Sequence, residues 1–237
     1  MSNNYYQFSR FVVRQERCAM KVGTDGTLLG AWANGGGRVL DVGCGTGLIA
    51  LMIAQRFPLC QATAIDIDHE ACLQARENIA ASPFAQRINV VESSVQQFAE
   101  TIVGDGGPLF DAIVCNPPFF SQSLKSPDDR RSLARHDTSL PFGELFVSVA
   151  RLLHPQGRFS LVIPSRSAGE IHTEAVMAGL FLTRECRVKT ASHKPPSRCL
   201  LEYSWQPEPS FEVEELTIGD DRHRQLLAAF TCRNRDE

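Results

Sequence analysis

The stretch Arg38 to Gly47, RVLDVGCGTG, constrains the fold more than any other part of the chain. Val39-Leu40-Asp41-Val42 is a short apolar run with one acid in it. It empties into Gly43, Gly45 and Gly47 just before the helix-length apolar segment Leu48 to Phe57. A buried strand, a glycine turn and a helix start form the unit by which an open α/β sheet offers backbone N–H groups to a ligand at its carboxyl edge. The glycines permit positive φ and close approach of backbone to ligand. Their spacing is G-x-G-x-G, whereas dinucleotide folds expect G-x-G-x-x-G. Asp41, placed ahead of the first glycine, would repel a pyrophosphate and suits a ligand with an ammonium group.

The rest of the chain alternates strand and helix patterns. Apolar runs at Ala62–Ile65, Ile88–Val91, Phe110–Cys115 and Arg158–Ile163 read as further strands. Helical segments are expected at His69–Ala81, Val95–Ala99, Phe142–Leu153 and Ser167–Ala178. Phe181–Lys189 and Cys199–Trp205 complete the series with no helix between them, so they should pair antiparallel. The fold class is therefore α/β: a Rossmann-like, mostly parallel sheet with helices on both faces. With 237 residues, 43% of them hydrophobic, the chain can bury one sizeable core, so residues 1–237 are expected to form a single domain. Residues 1–37 read as an N-terminal extension packing near the ligand site. Leu28, Leu29, Ala31 and Trp32 suit one face of a short helix entered through Thr24-Asp25-Gly26, where Thr24 or Asp25 either caps the helix or stands beside the ligand.

Composition narrows the partners. A net charge of -3 argues against a uniformly basic coat, so a polyanion would have to be met by a local patch. Between Arg184 and Arg198, five cations face a single acid, Glu185. The eight cysteines form no CxxC pair and have no histidine at zinc spacing, so reduced buried thiols and no metal are expected. No basic leader with an apolar core opens the chain and no apolar run is long enough to cross a bilayer; the expectation is a cytoplasmic protein without membrane contact.

At the end of the second strand of the series, Asp66 stands 23 residues after Gly43, where a carboxylate accepts both hydroxyls of a ribose. Asp68, immediately before a helix, reads as its N-cap. After the third strand, Ser94 and Val95 offer a hydroxyl and a backbone N–H to an adenine edge, with capping of the following helix an equal reading for Ser94. The fourth strand breaks at Asn116-Pro117-Pro118-Phe119. The Asn116 side-chain oxygen and the Pro117 carbonyl can each accept one N–H of a flat exocyclic amine. Phe119 offers a stacking face, and the prolines stiffen the turn.

This arrangement resembles the class I S-adenosylmethionine-dependent methyltransferases over nearly the whole chain. The resemblance implies a seven-stranded sheet with an antiparallel last strand and S-adenosyl-L-methionine as cofactor. It assigns the methionine part of the cofactor to Gly43, Gly45 and Gly47 with Asp41, the ribose to Asp66, and the adenine to Ser94 and Val95. Ser94 departs from the more usual Asp. The NPPF motif resembles the Asn-Pro-Pro-aromatic signature of amino-group methyltransferases, which modify adenine N6, guanine N2 or a glutamine amide.

Two longer stretches, MKVGTDGTLLGAW (20–32) and NPPFFSQSLKSPDDRRSLARHDTSLPF (116–142), resemble bacterial methyltransferases that modify adenine N6 beside the anticodon of a valine tRNA. By that resemblance Lys21, Thr24 and Asp25 border the cofactor or the flipped base, Asn116, Pro117 and Phe119 hold the target base, and tRNA is the partner. Arg131, Arg135, Lys194 and Arg198 are the candidate phosphate contacts. A ribosomal RNA guanine-N2 or glutamine-amide methyltransferase, an inert cofactor-binding module and a nicotinamide oxidoreductase are the alternatives. The glycine spacing speaks against the last and the intact NPPF against the inert module. Oligomeric state is not legible in the sequence; a monomer is the default.

Overall fold

The structure, a computed structural model, describes residues 4–18, 20–118, 141–210 and 213–232. The chain opens with a short antiparallel hairpin of β1 (Tyr5–Gln7) and β2 (Val12–Arg14), followed by α1 (Thr24–Trp32). Next come β3 (Arg38–Val42), α2 (Leu48–Arg56), β4 (Gln61–Asp66), α3 (His69–Ala80), β5 (Ile88–Glu92), α4 (Val95–Gly104) and β6 (Phe110–Cys115). The second half contains α5 (Phe142–Leu152), β7 (Leu153–Pro164), α6 (Ala168–Met177), β8 (Phe181–Lys189), β9 (Arg198–Ser204), β10 (Val213–Thr217) and α7 (Asp221–Leu227).

The sheet runs in the order β10-β8-β9-β7-β6-β3-β4-β5. Strands β7, β6, β3, β4 and β5 pair in parallel, and β9 lies antiparallel to both β7 and β8, as the absence of a crossover helix before it predicts. All seven expected strands are present. An eighth, β10, extends the edge by pairing in parallel with β8. Strand β7 begins directly after α5 at Leu153, five residues ahead of the expected Arg158, and its register on β6 shifts between Phe110 and Ala112.

Alternation along each strand sends side chains to two cores. Val39 joins α1, α2 and α3 on one face, with Leu28, Leu51, Met52, Ile53 and Ile79. Leu40 and Val42 join α4, α5 and α6 on the other, with Phe98, Phe146, Val149 and Ile171. Full burial of each such side chain contributes about 1.5–3 kcal/mol, so the two layers hold the central strands between them.

On the first face, α1 crosses α2 very closely because Gly26 and Gly30, four residues apart, share one side of α1. A Cβ at Gly30 would stand 2.7 Å from Met52 Sδ, and one at Gly26 would stand 3.2 Å from Leu48 Cδ2. Glycine at these positions brings the N-terminus of α1 over the carboxyl edge of the sheet, beside the glycine turn.

Candidate active site

The glycine turn after β3 has the left-handed backbone that its sequence requires. Gly43, Gly45 and Gly47 have φ of +68°, +52° and +78°. A Cβ at Gly43 or Gly45 would meet nothing within 4 Å, whereas one at Gly47 would stand 3.4 Å from both Ala75 Cβ and Ile79 Cδ1. The first two glycines therefore open onto space, and the third packs against α3 while serving as N-cap of α2.

Asp66 ends β4 and fixes this turn. Its Oδ2 accepts the Gly45 N–H at 2.8 Å and its Oδ1 accepts the Asp68 N–H at 3.0 Å. Each carboxylate oxygen keeps a further lone pair for a ligand hydroxyl. Asp68 is the N-cap of α3, accepting from Glu70 N at 2.9 Å, and Ser94 is the N-cap of α4, accepting from Gln97 N at 3.2 Å.

Alternation also places Asn116. Cys115 points into the core beneath α5, so the next side chain turns to the α1 side, where a Cβ at Gly26 would lie 3.8 Å from Asn116 Nδ2. Asn116 Nδ2 donates to Met20 Sδ at 3.8 Å, which leaves the side-chain oxygen as the acceptor for a ligand. Pro117 beside it is buried.

These elements line one cleft of about 960 Å³ at the carboxyl edge. Its wall includes Gly43, Gly45, Asp66, Ser94, Val95, Asn116 and Pro117, with Lys21 and Thr24 from the N-terminal segment. Of the sequence-derived residues of the glycine turn, Gly43 and Gly45 thus share a single space with Asn116 and Pro117, whereas Gly47, expected to hold the cofactor, does not line it and packs on α3. Cys18, Cys44 and Cys115 also face it. Burial pushes the Cys18 thiol up to about 11, so it stands neutral rather than as a nucleophilic thiolate. Among the described residues no group of three or more His, Cys, Asp or Glu side chains could hold a metal ion. No helix of the described residues is long and apolar enough to cross a membrane.

Three further expectations change. Asp41, expected to face an ammonium group, does not line the cleft. It shares the α2 face of β3 with Val39, is fully buried, and accepts the Ala50 N–H through Oδ2 at 3.0 Å, capping α2 from the strand. Its Oδ1 has no hydrogen-bond partner among the described residues, and burial pushes the carboxyl up to about 7. Of the two readings of Thr24 and Asp25 only the capping one fails: Gly23 is the N-cap of α1 without a side-chain bond, and both residues line the cleft. Asp25 accepts from Arg198 Nε at 2.9 Å, an ion pair that joins α1 to the start of β9 at the cleft.

The basic run, finally, is largely neutralised, by Glu185 within it and by acids distant in sequence. Arg187 pairs with Glu185 at 2.7 Å, Lys189 with Glu215 at 2.7 Å, and Arg184 with Glu202 and Glu214, each at 3.6 Å. Among the described residues Lys194 alone of the five cations makes no ion pair. It lies exposed on the loop between β8 and β9, outside the cleft. Phe119, Arg131 and Arg135 lie outside the described residues. Sequence reasoning passed over Met20, Gln96 and Glu144. Gln96 Nε2 donates to Glu144 Oε2 at 2.7 Å across the rim, joining the first turns of α4 and α5.

Residues 26–194 match the family model described as methyltransferase small domain. A protein of Parabacteroides distasonis named tRNA1(Val) (adenine(37)-N6)-methyltransferase is 46% identical over 226 residues, covering 94% of this chain and 93% of the relative. One of the same name from Dyadobacter fermentans is 39% identical over 239 residues, covering 96% and 97%. Among solved structures, a predicted O-methyltransferase of Agrobacterium tumefaciens superposes with a TM-score of 0.64 at 20% identity, covering 90% of this chain and all of that one. A glycopeptide N-methyltransferase complexed with S-adenosyl-L-methionine gives 0.55 at 14% identity, covering 78% of this chain and all of that one. At these identities the structural matches speak for the fold.

Proposed function

This chain belongs to the methyltransferase small domain family, and from that premise we propose that it methylates N6 of adenine 37 in a valine tRNA, as the names of its relatives state for them. The observation that carries the reaction class is the meeting of the glycine turn and the Asn116-Pro117 turn in one cleft.

The residues present fit S-adenosylmethionine as cofactor. Gly43 and Gly45 leave open the volume a Cβ would fill, and Asp66, bonded to Gly45 N, offers further carboxylate lone pairs beside that turn. The first turn of α4 presents Val95 N–H beside Ser94. When bound, the cofactor supplies an electrophilic methyl group on a positively charged sulfur. The protein's own part is positioning. Asn116 Oδ1 and the Pro117 carbonyl accept the two N–H groups of the adenine amine and turn its nitrogen lone pair toward the glycine turn. Gly26 and Met20 back the Asn116 amide, so the acceptor stays aimed. No strongly basic side chain is required, because the amine nitrogen becomes very acidic once substituted and loses its proton to water. Catalysis then rests on orientation and on dipoles fixed before the substrate arrives.

In this reading Phe119 stacks the extruded base, and Arg131, Arg135, Lys194 and Arg198 meet phosphates around the anticodon loop. The chain acts as a cytoplasmic monomer without a metal ion. The test is incorporation of labelled methyl into three acceptors: bulk tRNA lacking the modification, ribosomal RNA and a glutamine-containing peptide. Label in tRNA alone supports the reading; label in either of the others redirects it to guanine-N2 or glutamine-amide chemistry.

A further inference from the structure

An adenine amine enclosed in a cleft needs an acceptor, because an unpaired N–H removed from water costs more than the bond it would have made. Strand β5 ends in Glu92, which bonds His69 Nδ1 at 2.7 Å and does not line the cleft; the residues that follow it there are Ser93 and Ser94. Ser94 Oγ accepts from Gln97 N at 3.2 Å and Ser93 Oγ donates to the Ser94 carbonyl at 3.0 Å, so what remains there for an amine is the lone pairs of neutral hydroxyls. Neither supplies a carboxylate, yet one stands directly opposite. Glu144, in the first turn of α5, reaches over the cleft and accepts the Gln96 amide at 2.7 Å, and Gln96 follows Val95 in the chain. Glu144 Oε1 has no hydrogen-bond partner among the described residues.

We infer that Glu144 accepts the exocyclic amine of the cofactor's adenine, supplying from α5 a charged acceptor that the Ser93-Ser94 corner lacks. Gln96 is its positioning residue: by donating to Oε2 it holds the carboxylate over the corner where Ser94 and Val95 lie and leaves Oε1 for the amine. The inference rests on the cleft being the S-adenosylmethionine site, and it makes Glu144 a determinant of which nucleoside the cleft takes. The simpler role for Glu144 is to face the N-terminal dipole of α5, which would affect stability without regard to the ligand's base.

The experiment compares two ligands on the full-length protein by calorimetry: S-adenosylhomocysteine and its purine-riboside counterpart, in which hydrogen replaces the 6-amino group. The wild type should bind the adenine form about tenfold or more tightly than the purine form, the span of one hydrogen bond to a charged group. Glu144→Met should bring that ratio close to one, and Gln96→Met should lower it partway. Adding Ser94→Asp to Glu144→Met should restore it, because a carboxylate then stands in the cleft wall after β5. Because each ratio compares two ligands on the same variant, a general loss of stability cancels. A Glu144→Met protein that binds both ligands more weakly but keeps the wild-type ratio overturns the inference, as does a wild type that does not distinguish them. A wild type that binds neither ligand overturns the cofactor reading of the cleft itself.

Discussion

Asp66 Oδ2 accepts the backbone N–H of Gly45 at 2.8 Å, so the end of β4 sets the shape of the turn that follows β3. One carboxylate thereby joins the two halves of the cofactor cradle. Asp66→Ala removes both the ribose acceptor and this brace, and should weaken S-adenosylhomocysteine binding by on the order of a hundredfold, the loss of two bonds to a charged acceptor. Calorimetric titration reads this directly; an unchanged dissociation constant would place the ribose elsewhere.

Asn116 is expected to act on the substrate amine alone. Asn116→Ala should lower kcat by on the order of a hundredfold or more, the usual loss when one fixed polar group of a transition-state site is removed. Cofactor affinity, measured separately, should stay within about twofold. A variant that turns over normally would remove the amide from the chemistry.

Asp41 gives the fold a pH dependence. Burial pushes its carboxyl from an ordinary 3.8 up to about 7, so the folded state holds the proton more tightly than the unfolded chain does. The stability contributed by the protonated form is complete below the unfolded value and is lost as pH rises through 7. Between those limits the wild-type unfolding free energy should fall with a contribution of up to about 1.4 kcal/mol per pH unit. Asp41→Asn keeps an acceptor for the Ala50 N–H and should flatten that slope. Urea unfolding of both proteins at pH 5 and pH 8 measures the difference; parallel behaviour would contradict it.

Lys194 is the exposed cation of the β8–β9 loop without an ion pair among the described residues. Lys194→Ala should raise KM for tRNA a few-fold and reduce the slope of log affinity against log salt by about 0.7–0.9. An unaltered slope would mean the side chain misses the phosphates.

The parts of this molecule that obey simple periodicity were readable from the sequence. Short apolar runs ending in glycine or proline located β3 and β6, and the rule that ligands sit at strand ends placed Asp66 and Asn116. Facing was the first thing missed. Asp41 alternates with Leu40 and Val42 and shares the side of Val39, so strand period alone could have assigned it to the α2 face. Tertiary charge pairing was the second. The run from Arg184 to Arg198 looks like a basic patch in sequence, but β10, a five-residue edge strand rich in acids, lies beside β8 and brings Glu214 and Glu215 against it. Strand β10 has too few apolar residues to announce itself. Glu144 and Gln96 belong to different helices, 48 residues apart, and nothing local joins them.

The most direct test of the central claim is mass spectrometry of nucleosides from two transcripts of a valine tRNA, one with adenine and one with guanine at position 37, each incubated with the protein and S-adenosylmethionine. The account predicts stoichiometric N6-methyladenosine from the first and none from the second. N6-methyladenosine in equal amount from both, or a methyl group on a guanine or on an adenine ring nitrogen, would contradict it.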